Sequence, residues 1–187
     1  MAKASEVKTG NILRFNGELV LVEEFIHRTP GNLRAFYQAS MRNVKTNKLV
    51  EYRFRTDEEV TIARVETQNY QYLYEDGENL VVMDNNTYDQ IYVPKAMFGD
   101  AVKFLAEGMQ VMVALENDEP IMATMPSHVT LEITYSEPAV KGDTATNVTK
   151  AATVSTGAEI RVPLFINEGD KVRIDTRTGD YIERVKE

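Results

Sequence analysis

Apolar and polar residues alternate along most of this chain in short runs, the period-2 pattern of strands with one buried face. NILRF (11–15) and ELVLVEEFI (18–26) are separated by Asn16-Gly17. That pair is the strongest short hairpin signal, because a two-residue type I′ turn needs positive φ at both positions. LRAFYQASMRNV (33–44) and LVEYRFR (49–55) follow, joined by a polar turn around Thr46-Asn47, and EVTIARVET (59–67) ends the set. Five short strands in this stretch predict a small barrel.

A second set opens with YQYLYEDGENLVVM (70–83), a hairpin around Asp76-Gly77, followed by TYDQIYVP (87–94). DAVKFLAEG (100–108) is the one convincing helix, with Asp100 as N-cap and Gly108 as stop. MQVMVALEN and EPIMATM form another hairpin. After Pro126 a third set runs through HVTLEITYSEP, ATVS, AEIRVPLFI and DKVRIDTRTGDYIERV, the last a hairpin around Thr178-Gly179-Asp180. KGDTATNVTK (141–150) reads as a long loop inside that set. The chain is thus predicted to be all-β, with three small barrels at 1–65, 66–128 and 129–187. No Pro-, Gly- or Ser-rich linker separates them. Five-stranded Greek-key barrels of this size often bind oligonucleotides.

Net charge changes that picture. The chain carries −8 overall, which argues against binding polyanions over its whole surface. The charge is unevenly placed. Residues 1–65 hold 11 basic and 8 acidic side chains, residues 66–128 hold 2 and 11, and residues 129–187 hold 8 and 10. The first domain is therefore basic (+3), the middle one strongly acidic (−9) and the last nearly balanced (−2). Arginines gather at 28, 34, 42, 53, 55 and 64. Clustered Arg can neutralise phosphates on an otherwise anionic molecule; the competing reading is a solvated strand face. The acidic middle would turn away from a nucleic-acid backbone or face protein.

Several chemistries find no support. There is no cysteine, hence no disulfide and no thiolate nucleophile or metal ligand. His27 and His128 fall in different predicted domains, and no carboxylates at suitable spacing make a metal site with either. Asp84-Asn85-Asn86 lacks the ligand spacing of a calcium loop and reads as a turn. No GxSxG, Walker A or GxGxxG motif occurs. Neither a signal-peptide core nor a bilayer-length apolar run is present, so no membrane association and a cytoplasmic location are expected. No cofactor is expected.

Three stretches carry a resemblance. KAATVSTGAEIRVPLFINEG (150–169) has Lys150, small Ala152, Gly157, the aliphatic-x-Val-Pro core Ile160 to Pro163, and Gly169. This pattern resembles the C-terminal signature of bacterial elongation factor P, a relative of the hypusine-bearing initiation factor of eukaryotes and archaea. KGDT (141–144) with the DTRTGDYIERV ending fits too, as does TGNILRFNGELVLVEEF before a Pro-Gly turn. The likeness runs through the whole chain in order.

It implies an SH3-like N-terminal domain and two OB-fold domains in an L shape like tRNA. It also implies a monomeric, non-enzymatic translation factor that binds the ribosome between the peptidyl-tRNA and exit sites. There the family stimulates peptide-bond synthesis and relieves stalling at consecutive prolines by positioning the peptidyl-tRNA. Partners would be the ribosome, peptidyl-tRNA, ribosomal RNA and the exit-site mRNA codon. The loop at the tRNA acceptor end would comprise Arg28, Pro30, Gly31, Asn32, Leu33 and Arg34. Its apex, where relatives often carry a modified Lys or Arg, is Asn32 here, so neither modification has a substrate at the tip. Pro30-Gly31 would rigidify the turn, Gly31 through a positive φ. Leu33 is either exposed or folded back on the barrel. Gly142, Asp143 and Thr144 match the loop near the exit-site codon, and Tyr181 with Arg184 a small-subunit contact. Read without the resemblance, the loop is a plain surface turn and Tyr181 an aromatic on the barrel face. Two other functions stay open from the residues alone: a general single-stranded RNA-binding OB-fold protein and a small β-rich hydrolase.

Overall fold

The computed structural model describes residues 1–138 and 148–185. Among them the strands build three sheets. The first contains β1 (Ala2–Lys3), β2 (Ile12–Phe15), β3 (Glu18–Arg28), β4 (Phe36–Asn43), β5 (Leu49–Arg55) and β6 (Glu59–Ile62) in the order β1-β6-β2-β3-β4-β5. The second contains β7 (Glu66–Asp76), β8 (Asn79–Asp84), β9 (Gln90–Pro94), β10 (Gln110–Glu116) and β11 (Glu119–Thr124) in the order β11-β10-β7-β8-β9. The third contains β12 (His128–Ser136), β13 (Thr149–Val154), β14 (Glu159–Pro163), β15 (Lys171–Asp175) and β16 (Tyr181–Val185) in the order β14-β13-β12-β15-β16. The chain packs as two compact units, residues 1–67 with 114–122 and residues 68–113 with 123–187.

The hairpin at residues 15–18 forms as the Asn-Gly signal predicts. Asn16 and Gly17 sit at φ 50° and 83°, and Phe15 pairs with Glu18. Asn47 likewise takes φ 58° at the β4–β5 turn. That turn is tied by buried Asn43, whose Oδ1 accepts from the Lys45 and Thr46 amides at 2.9 Å each. A buried amide is tolerable there because its hydrogen bonds are made. Val20, Val22, Ala39, Met41 and Phe54 from alternate positions of β3, β4 and β5 fill the core of this sheet.

The predicted helix at 100–108 is corrected. The structure has 3-10 helix over Lys95–Phe104, interrupted at Gly99 (φ 57°, ψ −146°), a conformation essentially reserved for glycine. It begins before Asp100 and ends before Gly108. So short a segment cannot hold α-helical geometry by itself. What places it is burial: Phe104 is inserted among Leu131, Ile133, Val172 and Ile174 in the core of the third sheet. Thr156 Oγ1 donates to the Lys103 carbonyl at 2.7 Å. Asp84 closes the β8–β9 turn, its Oδ1 accepting from the Asn86 amide at 2.6 Å. Lys150, first residue of the C-terminal signature, lies buried in β13, and its Nζ donates to Ser136 Oγ at 3.2 Å.

Candidate nucleic-acid interface

The β3–β4 connection presents residues 29–35 at the end of the longest hairpin in the first sheet. Pro30 to Leu33 form a β-turn in which the Leu33 amide donates to the Pro30 carbonyl at 3.1 Å. Gly31 and Asn32 are its two central residues, both exposed. Leu33 is 77% exposed, so it does not fold back onto the barrel. Gly31 does not take the positive φ expected of it, and a Cβ built on it meets nothing within 4 Å. Pro30 occupies the first turn position, where its fixed φ constrains the entry to the turn rather than its centre.

The stiffness of this hairpin comes instead from rings in its stem. Cross-strand pairing sets His27 opposite Tyr37 and Tyr37 opposite Phe54. On that face Tyr37 stacks on Phe25 (centroids 4.9 Å, 16° between planes), and His27 lies 4.7 Å from Tyr37. Phe25 continues to buried Phe54 at 6.0 Å, and Phe54 to Tyr52 at 4.6 Å. The column links the sheet core to the base of the turn. Aromatic pairs of this kind contribute about 0.5–1.5 kcal/mol beyond simple burial. The alternation of the first-sheet strands is legible in the sequence, but the ring partners of Phe25 and His27 lie on β4 and β5.

The opposite face carries the charge. Arg28, Phe36 and Arg55 occupy one cross-strand row, and Gln38 and Arg53 the next on the same side. The Arg53 guanidinium sits 5.2 Å from the centre of the Phe36 ring. Among the described residues, Arg28, Arg34, Arg53 and Arg55 form no ion pair. The other two arginines of the sequence cluster behave differently. Arg42 grips Glu23 bidentately at 2.5 and 3.1 Å and also donates to the Asn47 carbonyl. This contact holds the Glu23 carboxyl below its usual pKa, chiefly through the hydrogen bond. Arg64 lies 3.6 Å from Glu66. Four free guanidiniums thus gather around the turn, with a half-buried phenylalanine among them. This arrangement can bind phosphates and stack on a base.

The remaining predicted residues fall in the third sheet or outside the described residues. Gly142, Asp143 and Thr144 lie outside them. Tyr181 and Arg184 are brought together. Residues three apart on a regular strand face opposite ways, but a bulge at Arg173/Ile174 sets Tyr181 against Ile174 and Arg184 against Val172. Tyr181 packs half-buried on the core, and burial raises its phenol pKa. Arg184 lies 3.7 Å from Asp170 and 5.9 Å from the ring of exposed Phe165.

Comparison with known proteins gives a consistent pattern. Residues 3–60 match the "Elongation factor P (EF-P) KOW-like domain" family, 65–123 the "Elongation factor P (EF-P) OB domain" family and 129–184 the "Elongation factor P, C-terminal" family. Elongation factor P of Chloroherpeton thalassium is 49% identical over 187 residues, covering all of both chains. That of Kocuria rhizophila is 47% identical with the same coverage. Among solved structures, a translation initiation factor 5A from Methanococcus jannaschii aligns over 66% of this chain and 93% of its own. Its TM-score is 0.52 at 17% identity, a likeness of fold.

Proposed function

The chain belongs to the elongation factor P family, and on that premise we propose that it relieves ribosomes stalled at consecutive prolines by positioning the peptidyl-tRNA. Family membership makes it a translation elongation factor. On the finer reading it binds between the peptidyl-tRNA and exit sites, in the cytoplasm, as a monomer. The 1–65 domain directs the turn of Pro30, Gly31, Asn32 and Leu33 at the tRNA acceptor end. Arg28, Arg34, Arg53 and Arg55 hold phosphates. Asp143 with Gly142 and Thr144 meets the exit-site codon, and Tyr181 with Arg184 meets the small subunit.

The observation that carries this reading is the four unpaired arginines around an exposed turn on a ring-stiffened hairpin. No covalent step falls to the chain itself. A stiff turn that holds the acceptor end lowers the entropy the ribosome's own reaction must supply. With Asn32 at the apex, the side chains displayed there without modification are those of Asn32 and Leu33. The test is the rate of proline-run synthesis on purified ribosomes with recombinant chain made without modifying enzymes. Restored synthesis is expected. Ribosome binding without rescue would instead favour a general single-stranded RNA-binding protein, and absence of binding would refute both.

A further inference from the structure

The outer face of β7, β8 and β9 is an aromatic surface on the most acidic part of the chain. Cross-strand pairing places Tyr74, Val81 and Tyr92 in one row. Residues paired across an antiparallel ladder project to the same side. The tyrosines are 52% and 56% exposed, whereas Val81 between them is 1% exposed. Two rings therefore wall a buried valine and turn their outer surfaces to solvent. Asp76, two residues beyond Tyr74, lies on the same face one row further along.

A third ring stands in the β8–β9 turn. Tyr88 is 71% exposed and held at φ 63°, a conformation that bulky residues avoid. The Asp84 carbonyl accepts from its amide at 2.9 Å. Among the described residues the ring makes no hydrogen bond or ring contact.

Exposed tyrosines stack on nucleobases or on guanidinium and ammonium groups, and charge decides between the two. Residues 68–113, which pack in the same compact unit as this face, carry 7 acidic side chains against 2 basic ones, and of those two Lys95 is tied to Glu75. A phosphate backbone would be repelled at this face, while a cationic segment would be drawn to it. We infer that the Tyr74–Val81–Tyr92 face docks an extended, arginine- and lysine-rich protein segment, through cation–π contact with the rings and an ion pair with Asp76 on the same face.

The test uses the full chain and fluorescence anisotropy with a short labelled arginine-rich peptide at low salt. An RNA oligonucleotide of the same length serves as the second probe. Replacing both rings (Tyr74→Ala with Tyr92→Ala) should weaken peptide binding about tenfold. Tyr135→Ala, which removes another half-exposed ring from the third sheet, should leave it unchanged. Tyr74→Phe with Tyr92→Phe should preserve it. If the alanine pair lowers the melting temperature, amide shifts in the unaltered protein decide. The peptide must then perturb Tyr74, Val81 and Tyr92 ahead of residues in the third sheet. Equal affinity for the parent and the folded alanine pair would overturn the inference. So would shifts confined elsewhere, or RNA outcompeting the peptide at this face.

Discussion

Replacing Arg28 and Arg34 with glutamine removes two charges beside the turn without touching the core, since both side chains are exposed and neither pairs with a carboxylate among the described residues. If each neutralises one phosphate, each contributes about −0.9 to the slope of log affinity against log salt on duplex RNA or DNA, and about −0.7 on a single strand. The double variant should therefore flatten the slope by roughly 1.4 to 1.8. Over a fourfold rise in salt, the gap between parent and variant should narrow roughly seven- to twelvefold. Arg42→Gln is the internal control. Its guanidinium is already occupied by Glu23 and the Asn47 carbonyl, so the slope should not change. The assay is filter binding to ribosomes carrying peptidyl-tRNA across a salt series, with melting temperatures matched. Parallel slopes for parent and double variant, or an equal flattening by Arg42→Gln, would refute the argument that the unpaired arginines are the phosphate ligands.

Tyr37→Ala, which empties the middle of the ring column, should lower stability by about 2 kcal/mol in urea and slow proline-run rescue. Gly31→Ala should leave both unchanged, because Gly31 has an ordinary φ and open space around it; loss of rescue there would show that the turn backbone itself is read. Asp143→Ala should impair rescue at unchanged melting temperature, since the sequence reads KGDT as a loop and a loop carboxylate contributes little to a core; equal rescue would remove Asp143 from the proposed codon contact. Phe104→Ala should destabilise by about 3–5 kcal/mol in urea, and a shift under about 1 kcal/mol would mean the 3-10 segment is not anchored by that ring. Arg42 and Arg177 hold Glu23 and Asp175 below their usual pKa values, in both cases first through a side-chain hydrogen bond. A depressed carboxylate stabilises above its unfolded pKa of about 4 and stops doing so as pH falls through the folded value. The stability gap between the parent and Arg42→Gln should therefore close below about pH 4, and a gap that persisted in acid would exclude this ion pair as its source.

Local chemistry was enough to read much of this protein from its sequence. Strand alternation, the Asn16-Gly17 hairpin and the turn at Asn47 need only neighbouring residues, and the structure has them where the pattern put them. The same holds for the charge map and for the full-length resemblance, both of which are properties of the string. The turn around Asn32 was legible for the same reason, whereas the sequence left Leu33 either exposed or folded back, and the structure decided for exposure.

Other features depend on partners distant in sequence, and only the tertiary structure decided them. Six arginines look alike in the sequence, yet Arg42 is consumed by a glutamate 19 residues away while Arg28, Arg34, Arg53 and Arg55 form no ion pair among the described residues. Gly31 carries the residue type for a left-handed turn but does not adopt one, because the Pro30–Leu33 turn closes its hydrogen bond with Gly31 outside the left-handed region. The segment read as a helix between an Asp100 cap and a Gly108 stop became 3-10, because burying Phe104 in the third sheet outweighs a weak local preference. Tyr181 and Arg184 share a side only because a bulge shifts the pairing of β15 with β16 by one residue. Propensity acts over one turn of chain, whereas pairing register, ring stacking and ion-pair choice are settled by strands that meet only when the chain has folded.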